Sequence, residues 1–190
     1  DFAVMAVKMH ASKEDLISNL VRNWATTSGD SNAQSISILL AVQKEFNIVN
    51  PFIPHQREND EIYKKAQENF KENENGLRAF VRAQYVATQT LLDKNGIENV
   101  ILYRGVHTRV LGLSNEQIQK GVNVVPVKMM PISSFSLDKS IAAGFPGGSP
   151  VGKGNIIAVI NKKDIFSIPR TGVGCTGERE VVVLGGKIDN

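Results

Sequence analysis

The chain predicts an α+β domain, and three observations carry that class. Apolar residues recur at helical spacing through the first hundred positions, the period breaks at Asn95-Gly96, and β-branched runs divided by turn residues follow. Helices first and strands afterwards segregate the two kinds of element, whereas alternation would indicate a parallel α/β fold. With 190 residues, one domain can bury its own core. The expectation is therefore a single domain, 1–190, with a helical part over 1–99 and a β-rich core over 100–190.

The helical elements follow in order. Ser12 can cap a helix with Leu16, Ile17, Leu20, Val21 and Trp24 on one stripe, ending near Thr27-Ser28-Gly29. A second runs from Ser31 to Phe46 with Ile36, Leu39, Leu40 and Phe46 apolar, and Pro51 and Pro54 then enforce an extended connection. Asn59 or Asp60 can start a third helix along Ile62, Ala66 and Phe70. The longest is predicted over Gly76 to Lys94, with Leu77, Phe80, Val81, Tyr85, Thr88 and Leu91 facing inward and Asn95-Gly96 as the stop. These stripes read as core, and no chemistry is assigned to them.

The strand pattern then takes over. Strands are predicted at Val100–Tyr103, Asn123–Lys128, Ile132–Ser136, Asn155–Ile160, Ile165–Ile168 and Glu180–Leu184. Two short helices interrupt them. Ser114-x-x-Gln117 resembles a capping box closed by Gly121, and Asp138 can start a helix through Ala142.

Composition narrows the function classes. Hydrophobic content of 42% and charged content of 22% place the chain with globular rather than disordered sequences. No apolar run approaches the ~20 residues that a membrane span needs. The single cysteine, Cys175, excludes an internal disulfide and a Cys-rich zinc site, and His10, His55 and His107 lack ligand spacing. No metal is expected. The net charge of +3 is uneven: 1–100 holds 11 basic and 13 acidic residues, 101–190 holds 11 and 6. That excess would attract an anionic ligand, but it is scattered, so nucleic acid is not specially indicated. A start at Asp1 without a leader suggests a processed chain or an excised domain, and the stop at Asn190 leaves room for a closing strand or further domain beyond it.

One phosphate-loop look-alike is rejected. Gly147-Gly148-Ser149-Pro150-Val151-Gly152-Lys153-Gly154 places Gly154 where that loop needs a hydroxyl for magnesium. Its context is also inverted, because a helix precedes it and a strand follows. Pro150 removes one of the N–H groups that would cradle phosphate.

Three segments of the β-rich half carry chemistry. Leu102-Tyr103-Arg104-Gly105 ends a strand on an arginine. Ile132-Ser133-Ser134-Phe135-Ser136-Leu137 places hydroxyls on a strand, with Ala142-Ala143-Gly144-Phe145 downstream. Gly177-Glu178-Arg179-Glu180-Val181 opens a β-branched strand with Glu-x-Glu. Alternate strand residues share a face, so Glu178 and Glu180 are expected to project together. Two like charges side by side suit a cationic centre, or else a solvated strand edge.

Arginine, serine and Glu-x-Glu in this order resemble the R-S-E class of mono-ADP-ribosyltransferases, arginine-modifying bacterial toxins and their relatives. The resemblance covers residues 100–184 tightly and the helical half loosely. It implies a two-sheet, mostly antiparallel core under a helical N-terminal layer, with NAD⁺ as co-substrate in the cleft between. It also implies Glu180 as the carboxylate on the ribose 2′-hydroxyl, Ser134 holding Glu180, and Arg104, flanked by Tyr103 and Gly105, on the NAD⁺ phosphates. Phe145 would pack on nicotinamide, with Gly144–Gly154 as the loop around it.

Glu178 would orient an acceptor guanidinium, and Arg170 to Gly177 would face the substrate. The partners implied are NAD⁺ and a protein carrying the acceptor arginine. A nucleic-acid acceptor is the weaker alternative. The enzyme would work as a monomer, secreted or injected into a target cell. Two departures from the family pattern stand out: Phe135 sits where many members have threonine, and Ser133 beside Ser134 leaves the serine register open by one residue.

Overall fold

The computed structural model describes residues 5, 12–26, 32–48, 60–107, 113–121, 129–145, 153–171 and 177–185. Three helices come first: α1 (Lys13–Thr26), α2 (Ala33–Phe46) and α3 (Glu61–Lys94). Then follow β1 (Asn99–His107), α4 (Asn115–Lys120), β2 (Ile132–Ser136), α5 (Lys139–Gly144) and β3 (Lys153–Asn161). A 3₁₀ turn (Lys162–Asp164), β4 (Ile165–Ser167) and β5 (Glu180–Leu184) complete the described elements. The molecule is a mixed α+β protein with a helical region and an antiparallel sheet.

The caps form as their residue types dictate. The Asp15 N–H donates to Ser12 Oγ at 3.0 Å, starting α1. Asn32, one residue after the expected start, caps α2 by accepting from the Ser35 N–H at 2.8 Å. Asp60 accepts from the Ile62 N–H and starts α3. Ser114 and Gln117 exchange both bonds of a capping box, at 2.9 and 3.2 Å. Gly96 leaves α3 at φ +65°, a conformation that glycine takes without a Cβ penalty.

One expectation needs correction. The third and fourth predicted helices are joined without a loop, as the two parts of α3, and the junction is a kink at Asn73 (φ −124°, ψ 19°). Asn73 is buried and its Nδ2 donates to the Asn69 carbonyl at 3.0 Å. Neither proline nor glycine stands there to stop the helix, so it bends instead. Three residues on, Gly76 meets Met5, where an added Cβ would sit 2.6 Å from Met5 Cβ. Of the stripe assigned to the first part, Ala66 is buried but Ile62 is exposed.

The strands form one five-stranded sheet in the order β3-β1-β2-β5-β4, with every neighbouring pair antiparallel. Among the described residues there is this one sheet, and the expected strand Asn123–Lys128 lies outside them. Two apolar clusters sandwich the central strands. The larger joins Leu16, Leu20, Leu39, Leu77 and Val81 of the helices to Ile132, Phe166, Val182 and Leu184 of the sheet. The smaller joins Leu92 and Leu102 to Phe135, Ile165, Val181 and Val183. Alternation assigns these sets to opposite faces, which we call front (Ile132, Val182, Leu184) and back (Phe135, Val181, Val183).

Polar links fasten α3 to the corner before β4. Tyr85 Oη donates to the Lys163 carbonyl at 2.9 Å, and Gln89 Nε2 donates to the carbonyls of Lys162 and Ile165. Lys162 Nζ meets Asp93 and Glu98. Among the described residues, no helix is long and apolar enough to cross a membrane.

Candidate active site

Three adjacent strands set the site through their register. Tyr103 of β1 is paired with Ser136 of β2, and Ser136 is paired with Glu180 of β5. Directly opposed residues in antiparallel strands share a face, so Tyr103, Ser136 and Glu180 form one row across the front of the sheet. Ser134, paired with Val182, is the next front-face residue of β2. The row lies at the opposite end of β2 and β5 from Ile132 and Leu184, which enter the helical core. Gly105 lies on the same face, two residues beyond Tyr103.

The register also puts the two serines on opposite faces. Ser133 is paired with Val183 on the back face, where its Oγ is buried with no hydrogen-bond partner among the described residues. Ser134 is half-buried on the face of Glu180. Of the two, Ser134 is the one that shares the carboxylate's side of the sheet.

Glu180 is only 6% exposed although it is the first residue of its strand. Glu178 is half-buried, and burial together with the charge of Glu180 pushes its carboxyl above the usual range. Between them Arg179 adopts φ +48°, left-handed backbone that a side chain with Cβ adopts at a cost. The pair therefore does not sit on a plain strand, since β5 starts only at Glu180 and residues 177–179 form a turn.

Arg104 lies in the middle of β1, not at its end, because the strand continues to His107. Alternation turns it to the back face, opposite Glu180, where its guanidinium lies 5.6 Å from the centre of the Phe135 ring. Nη1 donates to the Ser134 carbonyl at 2.8 Å. Burial lowers the Arg104 pKa, and among the described residues no carboxylate pairs with it. Arg104 thus touches the serine strand through its backbone, not the hydroxyls.

Phe145 follows α5 and is 49% exposed, so it is not part of a core. Asp138 caps α5 by accepting from the N–H groups of Ser140 and Ile141. A helix (α5) before and a strand (β3) after flank the glycine-rich segment, as expected of a sequence that is not a phosphate loop, and 146–152 lie outside the described residues. Cys175, His10 and His55 also lie outside them.

Two features were not assigned from the sequence. One is the left-handed Arg179, for which an arginine gives no signal. The other is Ser136, whose hydroxyl reaches the turn carrying Glu178. No family model, curated protein or solved structure matches the chain.

Proposed function

We propose that the chain is an NAD⁺-dependent protein-arginine mono-ADP-ribosyltransferase. In this reading the sheet is part of a two-sheet ADP-ribosyltransferase core, with NAD⁺ bound in a cleft and the helices layered beside it. The observation that carries the reading is the carboxylate pair at the head of β5. Glu180 is buried on the face of Ser134, and Glu178 is held close enough for the Glu180 charge to raise its pKa.

The chemistry assigns each residue a role. The bond from ribose C1′ to the nicotinamide nitrogen breaks, and its electron pair leaves with nicotinamide. Positive charge develops on the ribose, and a buried carboxylate at the 2′-hydroxyl binds that state more tightly than the ground state. Glu180 has this role, and Ser134 limits its rotation. An acceptor guanidinium nitrogen then bonds to C1′, and Glu178 takes its proton. A raised pKa suits that task, because it moves a base toward the working pH. The resemblance assigns the NAD⁺ phosphates to the planar donors of Arg104, which is desolvated, although its side chain lies on the face of the sheet opposite Glu180. Tyr103 and Gly105 flank it, and Phe145 offers an exposed ring to nicotinamide. The enzyme works without metal and as a monomer, on a protein of a cell into which it is secreted or injected as a toxin or effector. Some NAD⁺ hydrolysis accompanies transfer.

The test is nicotinamide release from NAD⁺ with and without agmatine as an arginine mimic. Release should rise with agmatine and fall at least about a hundredfold in Glu180→Gln. Glu178→Gln should keep hydrolysis and lose transfer. Equal loss of both in Glu178→Gln would contradict its role, and no release from the wild-type chain would sink the enzymatic reading.

A further inference from the structure

The turn that carries Glu178 is held by the end of β2. Ser136 is 1% exposed, and its Oγ donates to the Glu178 carbonyl at 2.8 Å while accepting from the Asp138 N–H at 3.0 Å. Next to it, the Leu137 N–H donates to the Arg179 carbonyl at 3.1 Å. Pairing of β2 with β5 ends at Ser136 and Glu180, where Arg179 leaves extended backbone at φ +48°. Beyond that point the Leu137 N–H and the Ser136 hydroxyl both hold the turn. Asp138 closes the arrangement, since it caps α5 and lies 3.8 Å from Arg179 Nη1.

We propose that Ser136 is a positioning residue for acceptor specificity. By clamping the Glu178 carbonyl, it fixes where the Glu178 carboxylate stands relative to Glu180, and so governs transfer to arginine separately from cleavage of NAD⁺. The inference rests on the transferase reading for its functional half. Its structural half stands on the hydrogen bonds alone. A buried hydroxyl with both its donor and acceptor sides used holds one rotamer, and a strained turn persists only where its surroundings hold it. Without the clamp, Arg179 can relax toward extended backbone and swing Glu178 away.

The test pairs two readouts on the whole chain. In Ser136→Ala, the ratio of agmatine transfer to NAD⁺ hydrolysis should fall about fivefold or more, the size of one lost hydrogen bond. Ser136→Thr, which keeps the hydroxyl, should restore the ratio. A parallel fall of both activities would mean a general structural role and overturn the proposal. The second readout is amide hydrogen exchange, which requires no activity. Exchange at Leu137 and 177–180 should speed up in Ser136→Ala while Val182 and Val183 stay protected. Unchanged exchange at 177–180 would overturn the clamp. If the wild-type chain cleaves no NAD⁺, the transferase reading fails, and exchange still decides whether Ser136 holds the turn.

Discussion

Glu178 lies in the turn that leads into β5, close to the charge of Glu180, so its ionisation carries a stability cost that pH can reveal. Its pKa in the fold is raised above the ordinary 4.5, first by burial and then by the Glu180 charge. The unfolded chain gives up this proton at lower pH than the folded one. The neutral form's contribution is thus fully present below about pH 4.5 and lost as pH rises through the folded pKa. At neutral pH, therefore, Glu178→Gln should melt higher than the wild-type chain, and the difference should close as pH approaches 4. Thermal unfolding followed by circular dichroism at several pH values checks this. A glutamine variant that is less stable at pH 7 would mean that the carboxylate is compensated rather than strained. On the proposed reading, a stabilising substitution at Glu178 is the pattern expected where a site keeps like charges together for function.

At the scale of elements, buried polar joints fix how the helices meet. Ser37 of α2 is fully buried, with its one O–H within reach of the Ala33 and Ala66 carbonyls at 2.7 and 3.1 Å, and accepts from Asn69 Nδ2 at 3.0 Å. It bonds α2 to the first part of α3. Ser37→Ala should cost about 1–3 kcal/mol, because Asn69 Nδ2 loses an acceptor in a half-buried place. Urea unfolding would measure it, and a loss below about 0.5 kcal/mol would mean that water or a rearranged Asn69 replaces the bond.

Local chemistry of this kind explains what could be read from the chain. Ser12, Asp60, Ser114 with Gln117, Asp138 and Gly96 each act within a few residues, and all do what their types imply. The strands Ile132–Ser136 and Glu180–Leu184 were legible from their own composition, whereas the turn that puts Glu178 outside β5 was not. Nonlocal facts were not. Nothing near Asn73 states that two helices will run together, and strand ends moved outward at both β1 and β3. Register was hidden too: alternation alone cannot tell that Tyr103 rather than Arg104 shares a row with Ser136 and Glu180. That row depends on which residues of distant strands are paired.

For the whole molecule, the question is whether the helical part and the β-rich part are separable. Residues 1–99 contain no described strand apart from the first residue of β1, and 100–190 contain the rest of the sheet and the site, so a division there looks natural. The packing argues the other way. Ile132, Phe166, Val182 and Leu184 of the sheet lie in the same apolar cluster as Leu16, Leu20, Leu39, Leu77 and Val81. Removing the helices would return these four side chains to water at about 1.5–3 kcal/mol each. The sum, roughly 6–12 kcal/mol, matches the whole stability of an ordinary domain. It would also remove Tyr85 and Gln89 from the Lys162, Lys163 and Ile165 carbonyls and Asp93 from Lys162. The fragment 99–190 should therefore show no cooperative thermal transition and poor dispersion of its amide resonances, while the full chain unfolds cooperatively. A fragment that melts cooperatively with native-like dispersion would make the sheet a domain of its own. On the packing described, the helices cover the end of the front face that carries Ile132 and Leu184, the end opposite Ser136 and Glu180.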